Sequence, residues 1–266
     1  MTLQAALAES RSPLPSRSNV SQQPQAERIL MEDVTLLRGA TTVFDRLSLR
    51  LDDDRIGIIG DNGAGKSSLF RMLCGLDAPR TGHVWVNGGE VGAAPHPERS
   101  VGLMFQNPDE QIIFPTVEEE LSLGPQAAGL PRREALQEAR EYLAARGLGH
   151  WAARAVSSLS QGQRQHVCWL ALTIASPRTL LLDEPFASLD LPGQALLEQE
   201  IHSAGNQVIV STHVLAHVRR FSRVIWLAEG GARADGPGPE VCAAYEADVA
   251  MRMAARAVCV DSYRGD

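Results

Sequence analysis

Beyond residue 27, apolar positions along the chain fall into two alternating rhythms. Short apolar runs occur at Arg55-Ile56-Gly57-Ile58-Ile59 and over 101–105, 179–182, 208–211 and 224–227. Runs of this length, rich in Val, Ile and Leu, predict strands buried on both faces. Between them, apolar residues recur every three or four positions, which predicts helices over 66–74, 132–146, 163–174, 193–204 and 214–221, and a closing helix over 241–255. In the second of these, Ala135, Leu136, Ala139 and Leu143 share one face and form a stripe suited to a core. Strands alternating with helices predict an α/β fold built on a parallel sheet.

The chain opens differently. Residues 1–26 are rich in Ser, Gln, Pro and Ala without a sustained period, so they are expected to be a disordered tail or an over-long start to the protein. Arg28-Ile29-Leu30-Met31, Val34-Thr35-Leu36-Leu37 and the alternating stretch 43–51 predict antiparallel strands, and Asp52-Asp53-Asp54 a polar turn. The stretch from Gln106 to Ser158 reads as mainly helical and forms a smaller subdomain, Gly230-Gly231 turns the chain, and no internal repeat is visible.

Composition narrows the function classes. A chain of 266 residues, 44% hydrophobic, can bury one large core with a small appended subdomain. Its 25 basic and 32 acidic residues give −7 at pH 7, and the densest basic clusters are the pairs Arg132-Arg133 and Arg219-Arg220. Such a chain lacks the basic stripe that grips nucleic acid phosphates, so no nucleic acid partner is expected. Cys74, Cys168, Cys242 and Cys259 form no C-x-x-C pair; a reducing compartment fits, with Cys74 and Cys168 as core residues. The longest apolar stretch, over 167–175, falls short of the ~18–20 residues that cross a bilayer, and the N-terminus lacks the basic start and apolar block of a secretory signal. Any membrane role is expected to run through a partner.

Two motifs carry chemistry on their own. Gly60-Asp61-Asn62-Gly63-Ala64-Gly65-Lys66-Ser67 fits G-x-x-x-x-G-K-[ST], with a strand entering and an apolar helix leaving. Glycines let backbone N–H groups converge on phosphate oxygens at a helix N-terminus, Lys66 reaches the β- and γ-phosphates, and Ser67 ligates Mg²⁺; Ser68 completes the candidate nucleotide contacts. Thr179-Leu180-Leu181-Leu182-Asp183-Glu184 is a buried strand ending in two carboxylates. Asp183 is placed to hold Mg²⁺ and Glu184 to polarise a water attacking the γ-phosphate. Together these predict a site for ATP and Mg²⁺. His213 and His217 lie four apart without the glutamate of H-E-x-x-H, which excludes zinc.

Many nucleotide enzymes share those two motifs. The deciding segment is Leu159-Ser160-Gln161-Gly162-Gln163-Arg164-Gln165, through which the chain resembles the ABC ATPase family. The family signature reads Leu-Ser-Gly-Gly-Gln in most members, and here Gln161 replaces the first glycine. The resemblance implies a P-loop NTPase core with an N-terminal antiparallel β subdomain and a helical subdomain. It also implies that Ser160, Gly162 and Gln163 cap the γ-phosphate held by an opposite subunit, as a helix N-terminus favours an anion. By the same resemblance, Gln106 touches Mg²⁺ and the attacking water, Asp190 of Ser188-Leu189-Asp190 lies in a loop crossing the dimer interface, and His213 contacts the γ-phosphate and supports Glu184. Importer ATPases stack an aromatic ring on adenine in the second strand region; that place falls at Arg38, whose guanidinium can also lie on a flat base.

The implied organisation is a tail over 1–26, an ABC ATPase cassette over 27–236 with its helical subdomain at about 107–158, and a C-terminal helix and tail over 237–266. The segment Phe105-Gln106-Asn107-Pro108-Asp109-Glu110-Gln111, with Pro115-Thr116-Val117-Glu118-Glu119-Glu120-Leu121, further resembles ATPases of energy-coupling-factor importers, which take up vitamins and transition metals. Arg55-Ile56-Gly57-Ile58-Ile59-Gly60 looks like the biotin branch, which places biotin ahead of cobalt. The implied partners are a second ATPase subunit, identical or not, a transmembrane coupling subunit and a substrate-binding membrane subunit; the implied location is peripheral, at the cytoplasmic face of the cell membrane. The rivals are a cobalt, nickel or other ABC importer ATPase, a soluble ABC ATPase outside transport, a non-catalytic cassette and a small-molecule kinase. The single compact cassette opposes the soluble form, Glu184 and His213 oppose the non-catalytic form, and the 159–165 segment has no place in a small-molecule kinase.

Overall fold

The computed structural model describes residues 28–92 and 101–262, with side chains to residue 255. The tail expected over 1–26, the N-terminal signal question and the Cys259 side chain lie outside the described residues.

Two sheets organise the chain. Strands β1 (Ile29–Arg38), β2 (Thr41–Arg50), β4 (Thr81–Val86) and β5 (Gly89–Glu90) make an antiparallel sheet in the order β2-β1-β4-β5. Strands β3 (Arg55–Ile59), β6 (Val101–Met104), β7 (Thr179–Asp183), β8 (Gln207–Ser211), β9 (Arg223–Ala228) and β10 (Gly231–Gly236) make the second, ordered β10-β9-β3-β8-β7-β6. All its pairings are parallel except the edge pair β10–β9. Helices α1 (Lys66–Leu73), α2 (Val117–Ala127), α3 (Arg132–Ala145), α4 (Gln161–Ile174), α5 (Leu191–Ser203) and α6 (Gly238–Ser262) complete the described elements of more than one short turn. The expected α/β class, with its parallel sheet, antiparallel β layer and helical part, is what the chain forms.

The unbroken apolar runs of the parallel strands have a direct cause. Successive side chains leave a strand on opposite faces, and here each face meets a different core. Leu180 and Leu182 of β7 join one cluster with Val208 and Val210 of β8 and with α4. Leu181 and Ile209 join the other, with Ile56 and Ile58 of β3, α1 and the antiparallel sheet. In the helical part, Ala135, Ala139 and Leu143 of α3 are fully buried. Arg140 and Arg132 of α3 pair with Glu118 (2.7 Å) and Glu119 (3.1 Å) in the first turn of α2. Glu120, itself buried, accepts backbone N–H bonds from Ile113 and Phe114 at 2.9 and 2.8 Å and so fixes the loop before α2.

Several expectations need correction. The two short strands read at 28–31 and 34–37 are one strand, β1, bulged at Asp33, whose φ of 46 lies in the left-handed region. Strands β4, β5 and β10 carry too weak an alternation to read in advance: β4 buries only Val84 and Val86, β5 is two residues long, and β10 buries none of its residues. Helix α4 starts two residues early because Ser160 caps it, and α5 starts at Leu191 because Asp190 caps it and Pro192 fits the first turn. The helix expected over 214–221 is a single 3₁₀ turn, Leu215–His217. Val218 presses there against the β3 backbone at Gly57, where a Cβ would lie 2.8 Å from the valine Cβ. The β-branched Val214 and Val218 add little helical preference to oppose that packing.

Candidate functional site

In the parallel sheet Ile58 stands opposite Ser211, Ser211 opposite Asp183, and Leu182 opposite Met104. This register brings the carboxyl ends of β3, β8, β7 and β6 to one edge, the place where open α/β sheets bind ligands. The loop from Gly60 to Gly65 leaves β3 there and turns into α1. Gly60 has φ 144, and a Cβ on it would fall 2.3 Å from the carbonyl oxygen of Leu227; at Gly65, with φ 99, a Cβ would fall 2.7 Å from the Phe44 ring. Only glycine fits at either point. Helix α1 has no acidic residue in its first turn, so no side chain of that turn offsets the attraction of its N–H groups for an anion. Lys66 lies buried across the loop, its Nζ donating to the carbonyl oxygens of Gly60 (2.9 Å) and Asp61 (3.3 Å).

The carboxylates face this loop. Ser211 Oγ donates a short hydrogen bond to Asp183 at the end of β7, fixing its orientation. Glu184 sits at φ 48, a conformation that costs a non-glycine residue of order 1–3 kcal/mol, and its N–H donates to the Ser211 carbonyl at 3.0 Å. That turn carries the Glu184 carboxylate off the strand line toward His213. Its Oε2 meets His213 Nδ1 at 2.8 Å and the His213 N–H at 3.3 Å. The Glu184 side chain is 10% exposed and that of His213 60%, so the imidazole bridges a nearly buried acid to solvent. His217 turns elsewhere: it pairs with Glu198 at 2.5 Å and stacks on Phe186.

These groups line one open cavity of about 800 Å³, which contains Gly60, Asp61, Asn62, Gly63, Gly65, Lys66, Ser67 and Ser68 together with Gln106, Asp183, Glu184 and His213. Ala64 is the exception in the loop, its methyl packing into the core beside α1. Arg38 also lines the cavity, but its Nη2 donates to Asp77 at 3.0 Å, where Arg71 binds the same carboxylate at 2.9 and 3.1 Å. The Arg71 hydrogen bonds hold the Asp77 carboxyl below its ordinary range.

Sequence reasoning missed three lining residues: Thr41, Val43 and Tyr245. The first two come from β2, where only their place beside Arg38 could have pointed to them. Tyr245 comes from α6, whose hydroxyl donates to Asp61 Oδ1 at 2.7 Å. Its signal was helical spacing, since Val241, Cys242, Tyr245 and Asp248 share one face of α6.

The remaining candidates lie apart. Ser160, Gly162, Gln163 and Asp190 line a second cavity of about 420 Å³, with Trp151 and His166 among its other walls. Ser160 and Gln163 form a reciprocal capping box at the start of α4: the Gln163 N–H donates to Ser160 Oγ (3.2 Å), and the Ser160 N–H to Gln163 Oε1 (3.1 Å). Asp190 caps α5 through the Gly193 N–H at 3.0 Å. Gln161, the departure from the family signature, donates its Nε2 to Ser188 Oγ at 3.0 Å and so ties this helix start to the 188–190 loop. The phosphate loop and the α4 N-terminus therefore do not share a cavity within one chain.

Comparison with known proteins identifies the family. The ABC transporter family matches residues 44–187. The chain is 46% identical over 229 residues to the biotin transport ATP-binding protein BioM of Rhodobacter capsulatus, covering 84% of this chain and 95% of that protein. It is 36% identical over 217 residues to the protein of the same name from Rhizobium etli, with 82% and 97% covered. An energy-coupling factor transporter ATP-binding protein of Methanospirillum hungatei is 37% identical over 183 residues, 66% of each chain. Among solved structures, cbiO1 of Clostridium perfringens, part of the ABC transporter complex cbiONQ, superposes with a TM-score of 0.70 at 26% identity over 82% of this chain and 92% of that one. A glycine loop at a helix N-terminus, a carboxylate pair at a neighbouring strand end and a match of this extent carry one conclusion: the chain belongs to the ABC transporter ATP-binding family and is an ATPase of that family.

Proposed function

We propose that this ATPase is the motor subunit of an energy-coupling-factor importer, and that it hydrolyses ATP only when two cassettes face each other. The observation that carries the reading is the division of the site between two cavities. Lys66, Ser67, Gln106, Asp183 and Glu184 line one, while Ser160, Gly162 and Gln163 open α4 on the other. A second subunit, turned to bring its α4 N-terminus over the first subunit's phosphate loop, completes the enclosure. ATP then supplies contacts to both subunits, and loss of the γ-phosphate removes them, so hydrolysis opens the pair.

Within the first cavity the roles follow from placement. The loop N–H groups and Lys66 hold the β- and γ-phosphates. The Ser67 hydroxyl, Gln106 amide oxygen and Asp183 carboxylate are hard oxygen donors lining this cavity, a set that would suit Mg²⁺; bound there, Mg²⁺ would neutralise charge on the phosphate oxygens. Glu184 accepts the proton of the attacking water, and His213, bonded to its Oε2, holds that carboxylate in place. Arg38 lies against the base, braced by Asp77.

No helix among the described residues is long and apolar enough to cross a membrane. Attachment to the cytoplasmic face therefore rests on a transmembrane coupling subunit, with a separate membrane subunit binding the substrate. Biotin is the favoured cargo, on the strength of 46% identity across 95% of a biotin transport ATP-binding protein. The test is uptake of radiolabelled biotin by cells lacking this chain. Complementation with the intact gene should restore biotin uptake; restored cobalt uptake with biotin uptake unchanged would move the assignment to the metal branch, and restoration of neither would end the importer reading.

A further inference from the structure

We propose that Arg252 and Tyr245 of the C-terminal helix set the nucleotide affinity of the phosphate loop by neutralising Asp61. This inference rests on the nucleotide site described above and extends it to α6, some 190 residues downstream of the loop.

The charge of the cavity poses the problem. Three carboxylates line it, those of Asp61, Asp183 and Glu184, against the basic side chains of Arg38 and Lys66. Asp183 has a use toward Mg²⁺ and Glu184 toward the water. Asp61 has neither, and as the second residue of the loop its charge would repel an incoming triphosphate. Arg38 offers little compensation, since its guanidinium is engaged by Asp77.

Helix α6 answers that charge directly. Arg252 Nη1 meets Asp61 Oδ2 at 2.5 Å and its Nη2 meets Oδ1 at 3.3 Å, a two-pronged contact, while the Tyr245 hydroxyl donates to Oδ1 at 2.7 Å. These groups are aimed by their own supports. Arg252 Nε pairs with Asp248 at 2.7 Å, one turn back on α6, and Asp248 pairs with Arg233 of β10 at 2.7 Å. Arg233 lies 4.4 Å over the Trp226 ring, and Tyr245 meets the same ring edge-on at 5.2 Å. The chain Arg233–Asp248–Arg252–Asp61 thus alternates in charge from the sheet edge to the loop. In keeping with it, the Arg252 and Tyr245 hydrogen bonds hold the Asp61 carboxyl below its ordinary range. Because both partners act through Asp61 and not on the nucleotide, they are positioning residues.

The experiment titrates a fluorescent ATP analogue, with Mg²⁺, into the full-length protein and its variants at low and high salt, with thermal melting measured alongside. Arg252→Ala should weaken binding by about three- to tenfold at low salt, shrinking toward unity near ~1 M salt, as a screened charge effect must. Arg252→Lys should recover most of the loss, and Tyr245→Phe, which removes only a hydroxyl, should weaken binding about twofold. In an Asp61→Asn background, Arg252→Ala should have no further effect on affinity. An affinity unchanged in Arg252→Ala, or a loss that persists in the Asp61→Asn background or at high salt, overturns the proposal, whatever happens to the melting temperature. Binding by the intact protein alongside such a result would leave the nucleotide site standing; no binding by the intact protein would overturn both.

Discussion

The two ends of the candidate site are built on opposite principles. Around the phosphate loop, this chain supplies nearly every partner itself: Ser211 orients Asp183, His213 holds Glu184, Lys66 folds onto its own loop, and α6 answers Asp61. At the start of α4 the local geometry is just as well made, with a reciprocal capping box and the Gln161–Ser188 tie, yet it lines a cavity apart from the glycine loop of the same chain. Both ends are helix N-termini following a turn, and both present N–H groups. They differ in whether the chain's own fold brings chemistry to them. A well-formed helix start can be one half of a site that no single copy completes.

The largest expected effect breaks the self-sufficient end. With Glu184→Gln the carboxylate proposed to accept the water's proton is lost while the shape is kept, so turnover should fall by about 10²–10⁴-fold with ATP binding retained. A phosphate-release assay beside an ATP-analogue titration checks this, and near-normal turnover would remove Glu184 from the role. Second in size is Ser160→Arg at the other end. If that helix start serves a neighbouring subunit, a bulky charge there should cut turnover by about 10²-fold, the effect of losing roughly 3 kcal/mol of closure, while a single subunit still binds the analogue. Full activity in this variant would refute the shared site. The smallest effect separates capping from catalysis. Asp190→Ala removes the α5 cap and should cost about 1 kcal/mol, seen as a fall of about 2–4 °C in melting temperature. A turnover loss far beyond that drop would show Asp190 acting across an interface as well.

Much of this was legible in the sequence because the motifs are local. The Gly60–Ser67 spacing demands glycine where a Cβ would strike Leu227 or Phe44, and such demands are written residue by residue. The buried run ending in Asp183 and Glu184 declares both its burial and its chemistry in six letters. Other parts were not legible. The helix expected over 214–221 lost to the packing of Val218 on Gly57, a contact between segments about 160 residues apart. Tyr245 and Arg252 carry no motif at all, and become part of the site only because α6 packs beside β9 and β10.

By itself, then, the sequence determined the strand and helix alternation, the phosphate-loop motif and the carboxylate pair. Each of these depends on neighbours within about one turn of chain or one strand, so a short stretch of letters specifies it. The tertiary structure decided which of them meet. Parallel register placed Asp183 opposite Ser211, a left-handed turn at Glu184 aimed its carboxylate at His213, α6 delivered a positive charge to Asp61, and the α4 N-terminus was kept in a separate cavity. The physical reason is that charge and hydrogen bonding act through space over a few ångströms, while the sequence orders residues only along the chain.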